Sequence, residues 1–465
     1  MRRLTIERAA EIIVFALIFA LAVRIPVDTD LWWHLRSGQY TLSHGIIYND
    51  PFSFTFEGMY RVSYEWLSQV IMYLIWQVGG NVGMALYTAG LATAGMAVLY
   101  RMSSGSVYLR AFALVIGAAT AAVFWSPRPA MVTFFLSTVI LYLIFLYKNK
   151  GIDRLWLIPP IMALWANLHT GYAIAFIFLL TTIIGETLSN VFGAKEGTIS
   201  WRAIRKLVLI TLVSLAAMLL NPYGLDLLLV PLRTVGIAAL REFVNEWNSP
   251  NFHDRAAWPF LFLLLSTLGA VWASKKRLGW TEFGLLSATF FLSLFAGRNI
   301  PMFAVVATPI LTEHLDNVLT ERGWRLQAVK YATPRMARLN AVLVIFILLG
   351  ALAKIAIVLE PKLVRDSQAL FLPVEAVEHL NAEQPPGPMF NSYNWGGYLL
   401  FFAPQYPVFI DGRTDLYREF VLEYLRTARG GDGWREMLDE YDINFVIVEN
   451  GSGLDGHLRD EAGWR

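Results

Sequence analysis

Apolar runs of near-bilayer length recur from residue 11 to about residue 358, and they constrain this chain more than any motif does. Crossing hydrocarbon as a helix takes about 20 residues, because every backbone N–H and C=O must be bonded within the segment. The runs lie near 9–27, 82–100, 108–125, 131–147, 155–168, 171–188, 206–220, 256–273, 279–297, 299–315 and 339–358, which makes eleven expected spans. The run at 155–168 is short and carries Pro159-Pro160. No small-residue cleavage site follows the first run, and Asp28-Thr29-Asp30 comes directly after it, so it is expected to stay as a span. Hydrophobic residues make up 56% and charged residues 16% of the chain, against about 25% charge in an ordinary soluble protein. Aromatic residues at 14% exclude disorder. The absence of cysteine excludes a disulfide scaffold, a thiolate metal site and a thiol nucleophile. A net charge of +2 gives no case for nucleic acid.

The stretch Glu65–Val78 is about 14 residues long and rich in Trp and Tyr, so it reads as a short helix in the outer interface rather than a twelfth span. Basic residues resist translocation, and with the N-terminus inside they divide unevenly. Roughly twenty fall on the inner side, among them Arg2, Arg3, Lys195, Arg325 and Lys330. The outer side holds seven: Arg36, Arg61, Arg128, Arg233, Arg241, Arg255 and Arg298. From about residue 360 the sequence gains charge and Gly/Pro turns. Short β-like runs (Pro388–Tyr393, Pro407–Ile410, Asn444–Val448) alternate with helical patterns (Val374–Ala382, Arg418–Ala428, Gly433–Tyr441). The expected architecture is a multispan α-helical membrane domain over 1–359, with a first outer loop at 28–81. A small extracytoplasmic α/β domain follows over 360–465.

Under this topology the polar, motif-like segments share the outer face: DTDLWWHLRSG (28–38), YNDPFSF (48–54), SYEW (63–66), SPRP (126–129), NLHTGY (167–172), NPYG (221–224), EFVNEW (242–247) and GRNIP (297–301). Asp28 and Asp30, placed i, i+2, can reach one cation if the segment turns. Equally, they can cap a helix over 30–43, on which His34 shares a face with Asp30. Trp32-Trp33 reads as an interfacial anchor or as a sugar platform. Arg128 between two prolines is a loop brace or a phosphate clamp. His169 is a hydrogen-bonded structural residue or a phosphate contact, and Arg298 a snorkelling residue or a phosphate contact. Glu242 and Glu246, i, i+4, read as a solvated helix face. Asn221-Pro-Tyr-Gly reads as a turn.

Sugar transfer from a lipid phosphate would use such a set. The leaving group is already a good anion and needs no general acid. A carboxylate must orient or deprotonate the acceptor, and positive charge or a metal must hold the departing phosphate.

The pattern D-x-D-L-W-W-H-L-R-x-G (28–38), with His44-Gly45 and Asn49-Asp50-Pro51, resembles the first outer loop of GT-C membrane glycosyltransferases, above all the oligosaccharyltransferase catalytic subunit. Protein O-mannosyltransferases and lipid A aminoarabinose transferases are similar in topology. In the tail, Asn391–Tyr398 (NSYNWGGY) and Pro407–Asp415 (PVFIDGRTD) resemble the region around the oligosaccharyltransferase WWDYG motif, with Gly396 where that motif has Asp. Peptide acceptor specificity is therefore not implied. The family's second acidic motif is absent, and SPRP stands in the corresponding place. The resemblance implies Asp28 or Asp30, with Asp30 favoured, as acceptor-side base or as ligand of a divalent cation (Mg or Mn). His34, Arg36, Asp50, Glu65, Trp395, Tyr398, Asp411 and Arg413 are the expected substrate-binding residues in the matching segments. Arg128, His169 and Arg298 join them by position, as phosphate contacts. The Gly396-Gly397 pair and Asp411 also have plain packing and turn readings. Similar chains continue past Gly463-Trp464 into a closing strand, so a terminal element is expected to be missing here.

The expected protein is an integral membrane glycosyltransferase of the cytoplasmic (inner) membrane. Its expected partners are a polyprenyl-phosphate or -diphosphate sugar donor, a glycan, lipid or protein acceptor, and membrane lipids, with no nucleic acid. Two alternatives remain open: a non-catalytic scaffold of the same fold, and a lipid or polysaccharide transporter. Against the transporter, span interiors are nearly free of charge. Arg24 and Glu186 lie near span ends, and Lys354 lies in the last third of its run.

Overall fold

The computed structural model describes residues 4–193, 197–324 and 332–464. Arg2, Arg3, Lys195, Arg325 and Lys330, counted above among the inner basic residues, lie outside these, as does Arg465. Of the described residues, 70% are helical. Each of the eleven apolar runs coincides with a helix. Among the described residues, six helices are long and apolar enough to cross a bilayer: Trp66–Met102, Val107–Phe124, Ala130–Lys150, Thr170–Val191, Arg255–Ala273 and Pro334–Val358. Leu155–Trp165 and Trp280–Phe295 are shorter apolar helices.

Trp66–Met102 is two helices joined at a break. Gly80 sits at φ 49°, ψ −136°, a conformation that a side chain disfavours. The amphipathic Trp/Tyr-rich segment after Glu65 therefore ends as a helix of its own before the next one begins.

The structure divides into two compact units. One comprises Met1–Arg24, Ala85–Asn221 and Glu246–Leu359; the other comprises Ile25–Met84, Pro222–Asn245 and Glu360–Arg465. In the first, the helix Ile300–Glu321 is buried from Ile300 through Thr312 and packs against Val107–Ala121, Ala130–Lys150, Trp258–Ala273 and Trp280–Phe295. Pro301 opens it, where the missing N–H costs nothing. Inside it, the Thr308 hydroxyl donates to the Ala304 carbonyl at 2.7 Å, so this polar side chain is satisfied within its own helix. Ile6–Ala22 packs on Pro334–Val358, whose apolar surface is almost wholly uncovered by protein. Lys354 donates to the carbonyls of Ala20 (2.5 Å) and Val23, satisfying the last turn of Ile6–Ala22. Lys148 and Glu186 are paired as well. Lys148 Nζ lies 3.0 Å from Glu186 and 2.7 Å from Glu282. Glu186 also accepts from the Thr281 hydroxyl at 2.6 Å and the Ile199 N–H at 2.9 Å. Buried charge paired and hydrogen-bonded in this way is structural.

In the second unit the helix Asp30–His44 packs on Gly396–Phe402. Gly396 lies against the backbone of Ile410–Asp411, and Gly397 lies against the Thr29 carbonyl and the Trp33 N–H. Met389–Asn391 pairs in parallel with Phe445–Ile447, with Phe390 opposite Val446. The run at 407–410, read above as β-like, is not a strand of that sheet. Val408 makes a single bridge to Ser53. The buried Asn391 side chain takes the Phe409 N–H and donates to the Ile410 carbonyl, both at 2.8 Å. The helical readings of the tail appear as Val374–Glu383, Phe420–Ala428 and Trp434–Glu440.

Candidate functional site

Asp30 opens the helix Asp30–His44, where the orphan N–H groups of the first turn favour a carboxylate. Asp28 Oδ1 accepts the Asp30 N–H at 2.9 Å, and Asp30 Oδ1 accepts the indole N–H of Trp33 at 3.2 Å. Both carboxylates are half-buried. Gly412, in the turn after the 407–410 run, lies so close that a Cβ there would strike Asp30 Oδ1 and meet Trp33 Nε1 at 3.0 Å. Asp30 is thus fixed by its own helix on one side and by the tail on the other.

Neither tryptophan is an interfacial anchor. Trp32 is fully buried and makes edge-on contact with Trp76 and Tyr398, with Phe401 and Phe402 beside it. Trp33 is buried as well, under the Arg61 guanidinium at 5.4 Å. Arg61 grips Asp415 with two bonds of 3.0 and 3.1 Å. His34 turns from the aspartates. Its Nδ1 lies 3.3 Å from both Glu65 Oε2 and Gln69 Nε2, all three side chains being buried. Arg36 donates to Gln39 at 2.8 Å and lies 5.8 Å from the centre of the Phe52 ring. Trp395 donates to the Phe371 carbonyl at 3.0 Å, and Tyr398 belongs to the Trp32 cluster, where burial pushes its phenol up to about 12.

Asp50, Asp411 and Arg413 form a sealed triad. Arg413 Nε lies 2.8 Å from Asp411 Oδ1, and its Nη2 lies 2.6 Å from Oδ2. Its Nη1 bonds Asp50, and Tyr417 donates to Asp411 at 3.0 Å. Asp50 accepts further from the Ser53 N–H at 3.0 Å and from its hydroxyl at 2.5 Å. Burial alone would raise Asp411, but Arg413 reverses the sign and holds it below the usual carboxylate range. These three expected substrate contacts are buried and act as a brace between the first loop and the tail.

In the other unit, Arg128 Nη1 and Arg298 Nη1 converge on Glu246, at 3.6 Å and 3.5 Å from its two oxygens. All three side chains are about 30% exposed. Arg298 also lies over the Trp247 ring at 4.5 Å. His169 is buried. Its Nδ1 accepts the Gly171 N–H at 3.1 Å and lies 2.8 Å from the Thr133 hydroxyl, which itself accepts from Trp165 at 3.1 Å. Burial, and then the Arg298 charge, push its imidazole down to about 3, so it is neutral at ordinary pH. Glu242 and Glu246 do not share a helix, because Ala238–Phe243 ends before Val244 turns extended.

The fold has solved counterparts. The crystal structure of the Archaeoglobus fulgidus oligosaccharyltransferase in the apo form superposes with a TM-score of 0.54 at 13% identity, over 94% of this chain and 69% of that one. The chain has the fold of an oligosaccharyltransferase. A second structure of that enzyme, tethered to an acceptor peptide containing the NVT sequon, gives a TM-score of 0.49 at 14% identity, over 87% of this chain and 64% of that one. No family model and no curated protein matches the sequence.

Beside this fold, three residues emerge that sequence reasoning did not assign to a site. Glu246 is the acid shared by Arg128 and Arg298, which are remote from it in sequence. Trp33 supplies a hydrogen bond to Asp30 through an N–H that the W-W pair does not reveal. Gly412 was visible only as part of a turn. Among the described residues no group of three or more His, Asp or Glu side chains could hold a metal ion.

Proposed function

We propose that this protein is a membrane glycosyltransferase that moves a sugar from a polyprenyl-phosphate-linked donor to an acceptor on the outer face of the membrane. The observation that carries the reading is the convergence of Arg128 and Arg298 on one carboxylate. Two guanidiniums brought to one point offer positive charge that suits a departing phosphate. Asp30 is assigned the acceptor side. Its carboxylate takes the proton of the attacking hydroxyl or amide as the new bond forms at the anomeric carbon. The bond from that carbon to the phosphate oxygen breaks, and its electron pair leaves with the phosphate. One displacement inverts the anomeric centre. His169, neutral, would contribute a hydrogen bond rather than charge.

Asp28 and Asp30 do not by themselves make a metal cage, so a bound Mg or Mn would draw on them and on donor phosphates. Such a cation would neutralise phosphate charge. The proposed topology has eleven spans in the cytoplasmic (inner) membrane, with the N-terminus inside and the tail outside. The pairing of Lys148 with Glu186 and Glu282 supports this reading over a transporter, since these charges are spent on structure.

The test is transfer to envelope glycans by the purified full chain, with polyprenyl-phosphate sugars as donors. Asp30→Asn should lower the rate by at least about 100-fold with normal membrane insertion. Arg298→Gln should raise the KM for donor about tenfold. Full activity of Asp30→Asn would remove Asp30 from catalysis, and no transfer with any donor would leave the scaffold reading.

A further inference from the structure

The helix Asp226–Val235 has two apolar faces. Leu227 and Val230 are buried and form the inward one. Leu225, Leu229, Leu232 and Val235, spaced i, i+4, i+7, i+10, form a second stripe and are 69, 43, 74 and 46% exposed. Burying a leucine side chain is favourable, so four aligned apolar side chains call for a cover.

Two facts indicate its chemistry. First, only four residues separate Leu225 from Leu220, the exposed end of an apolar run whose leucines at 209, 212 and 215 also face away from protein. That tether holds Leu225, the first residue of the stripe, within about 18 Å of Leu220. The same unit has a second bare patch, Leu370 and Phe371, about a dozen residues after the apolar helix Pro334–Val358 ends at Val358. Second, the stripe is too narrow for a protein partner, since a stable interface uses about 20–30 residues a side. Arg233 flanks the stripe, its side chain half-exposed and 3.6 Å from Asp226, and is long enough to reach a headgroup.

We propose that the stripe from Leu225 to Val235 is seated in the acyl-chain boundary of the bilayer, so that Asp226–Val235 is an in-plane helix whose partner is the lipid surface. Lipid contact of this kind holds whatever reaction the protein performs.

The chain has no cysteine, so single substitutions give unique labelling sites. Full-length L229C, L232C and the exposed off-stripe control A238C would be spin-labelled in vesicles of phosphatidylethanolamine and phosphatidylglycerol. Relaxation by oxygen would be compared with relaxation by a water-soluble nickel chelate. The stripe labels should favour oxygen over nickel at least threefold more than A238C does. A stripe label as open to nickel as A238C would overturn the proposal. Protection from both reagents would also overturn it, because protein would then be the cover. Since these side chains are exposed, their replacement leaves the packed face of the helix intact.

Discussion

Asp30 is held by one hydrogen bond from its own helix and by a glycine from the tail, and this makes Gly412 a positioning residue for the proposed reaction. Gly412→Ala places a methyl group against the Asp30 carboxylate and the Trp33 indole. Because a 1 Å misplacement can cost about 100-fold, kcat is expected to fall 10- to 100-fold with the donor KM unchanged, as steady-state kinetics would show. A loss of folded protein instead would assign Gly412 to packing alone. The triad makes a separate claim about pH. Asp411, lowered by Arg413, contributes stability that is complete above its ordinary value of 3.8 and is lost as pH falls through its depressed folded value. Limited proteolysis of the tail is therefore expected to be flat from pH 7 to pH 5 and to rise only below about pH 4. A rise already at pH 6 would point to another group. These residues were half legible in the sequence. Asp28, Asp30, Arg128 and Arg298 announce themselves by charge beside apolar runs. Asp50, Asp411 and Arg413 do so equally, yet they are spent on one another, and nothing local distinguishes a charge that meets substrate from one that meets its partner 363 residues away.

At the level of elements, apolar helices were readable because their pattern needs no partner. Every apolar run lies on a helix. The 407–410 run is no sheet strand because a strand is defined by what it pairs with, and its backbone bonds go to the Asn391 side chain and to the backbone of Phe52 and Phe54. The burial of Trp32 is equally invisible locally, since Trp76, Tyr398, Phe401 and Phe402 are remote in sequence. The break at Gly80 has a testable cost. Gly80→Ala forces a Cβ into φ 49°, ψ −136°, and about 1–3 kcal/mol of strain should lower the thermal midpoint of the detergent-solubilised protein. An unchanged midpoint would mean that the two helices merge without penalty.

For the whole molecule, the proposed topology puts Lys276 inside and Ser452 outside. On the cysteine-free background, S452C should react with an impermeant maleimide on intact cells, and K276C only after permeabilisation. The reverse pattern would turn the chain over and with it the outer-face chemistry. The fold itself is shared with an oligosaccharyltransferase at 13% identity. What such divergence preserves is the succession of apolar helices, which many sequences satisfy, rather than the few polar side chains that decide a substrate. The Asp50–Arg413–Asp411 brace has a consequence for biosynthesis. Asp50 leaves the ribosome 363 residues before Arg413. At about 5–20 residues per second, the loop waits roughly 20–70 s for its counter-charge. Through that interval its acidic and aromatic side chains have only water, lipid or a chaperone for company, and any nascent chain stalled before residue 413 would present them to quality control unfinished.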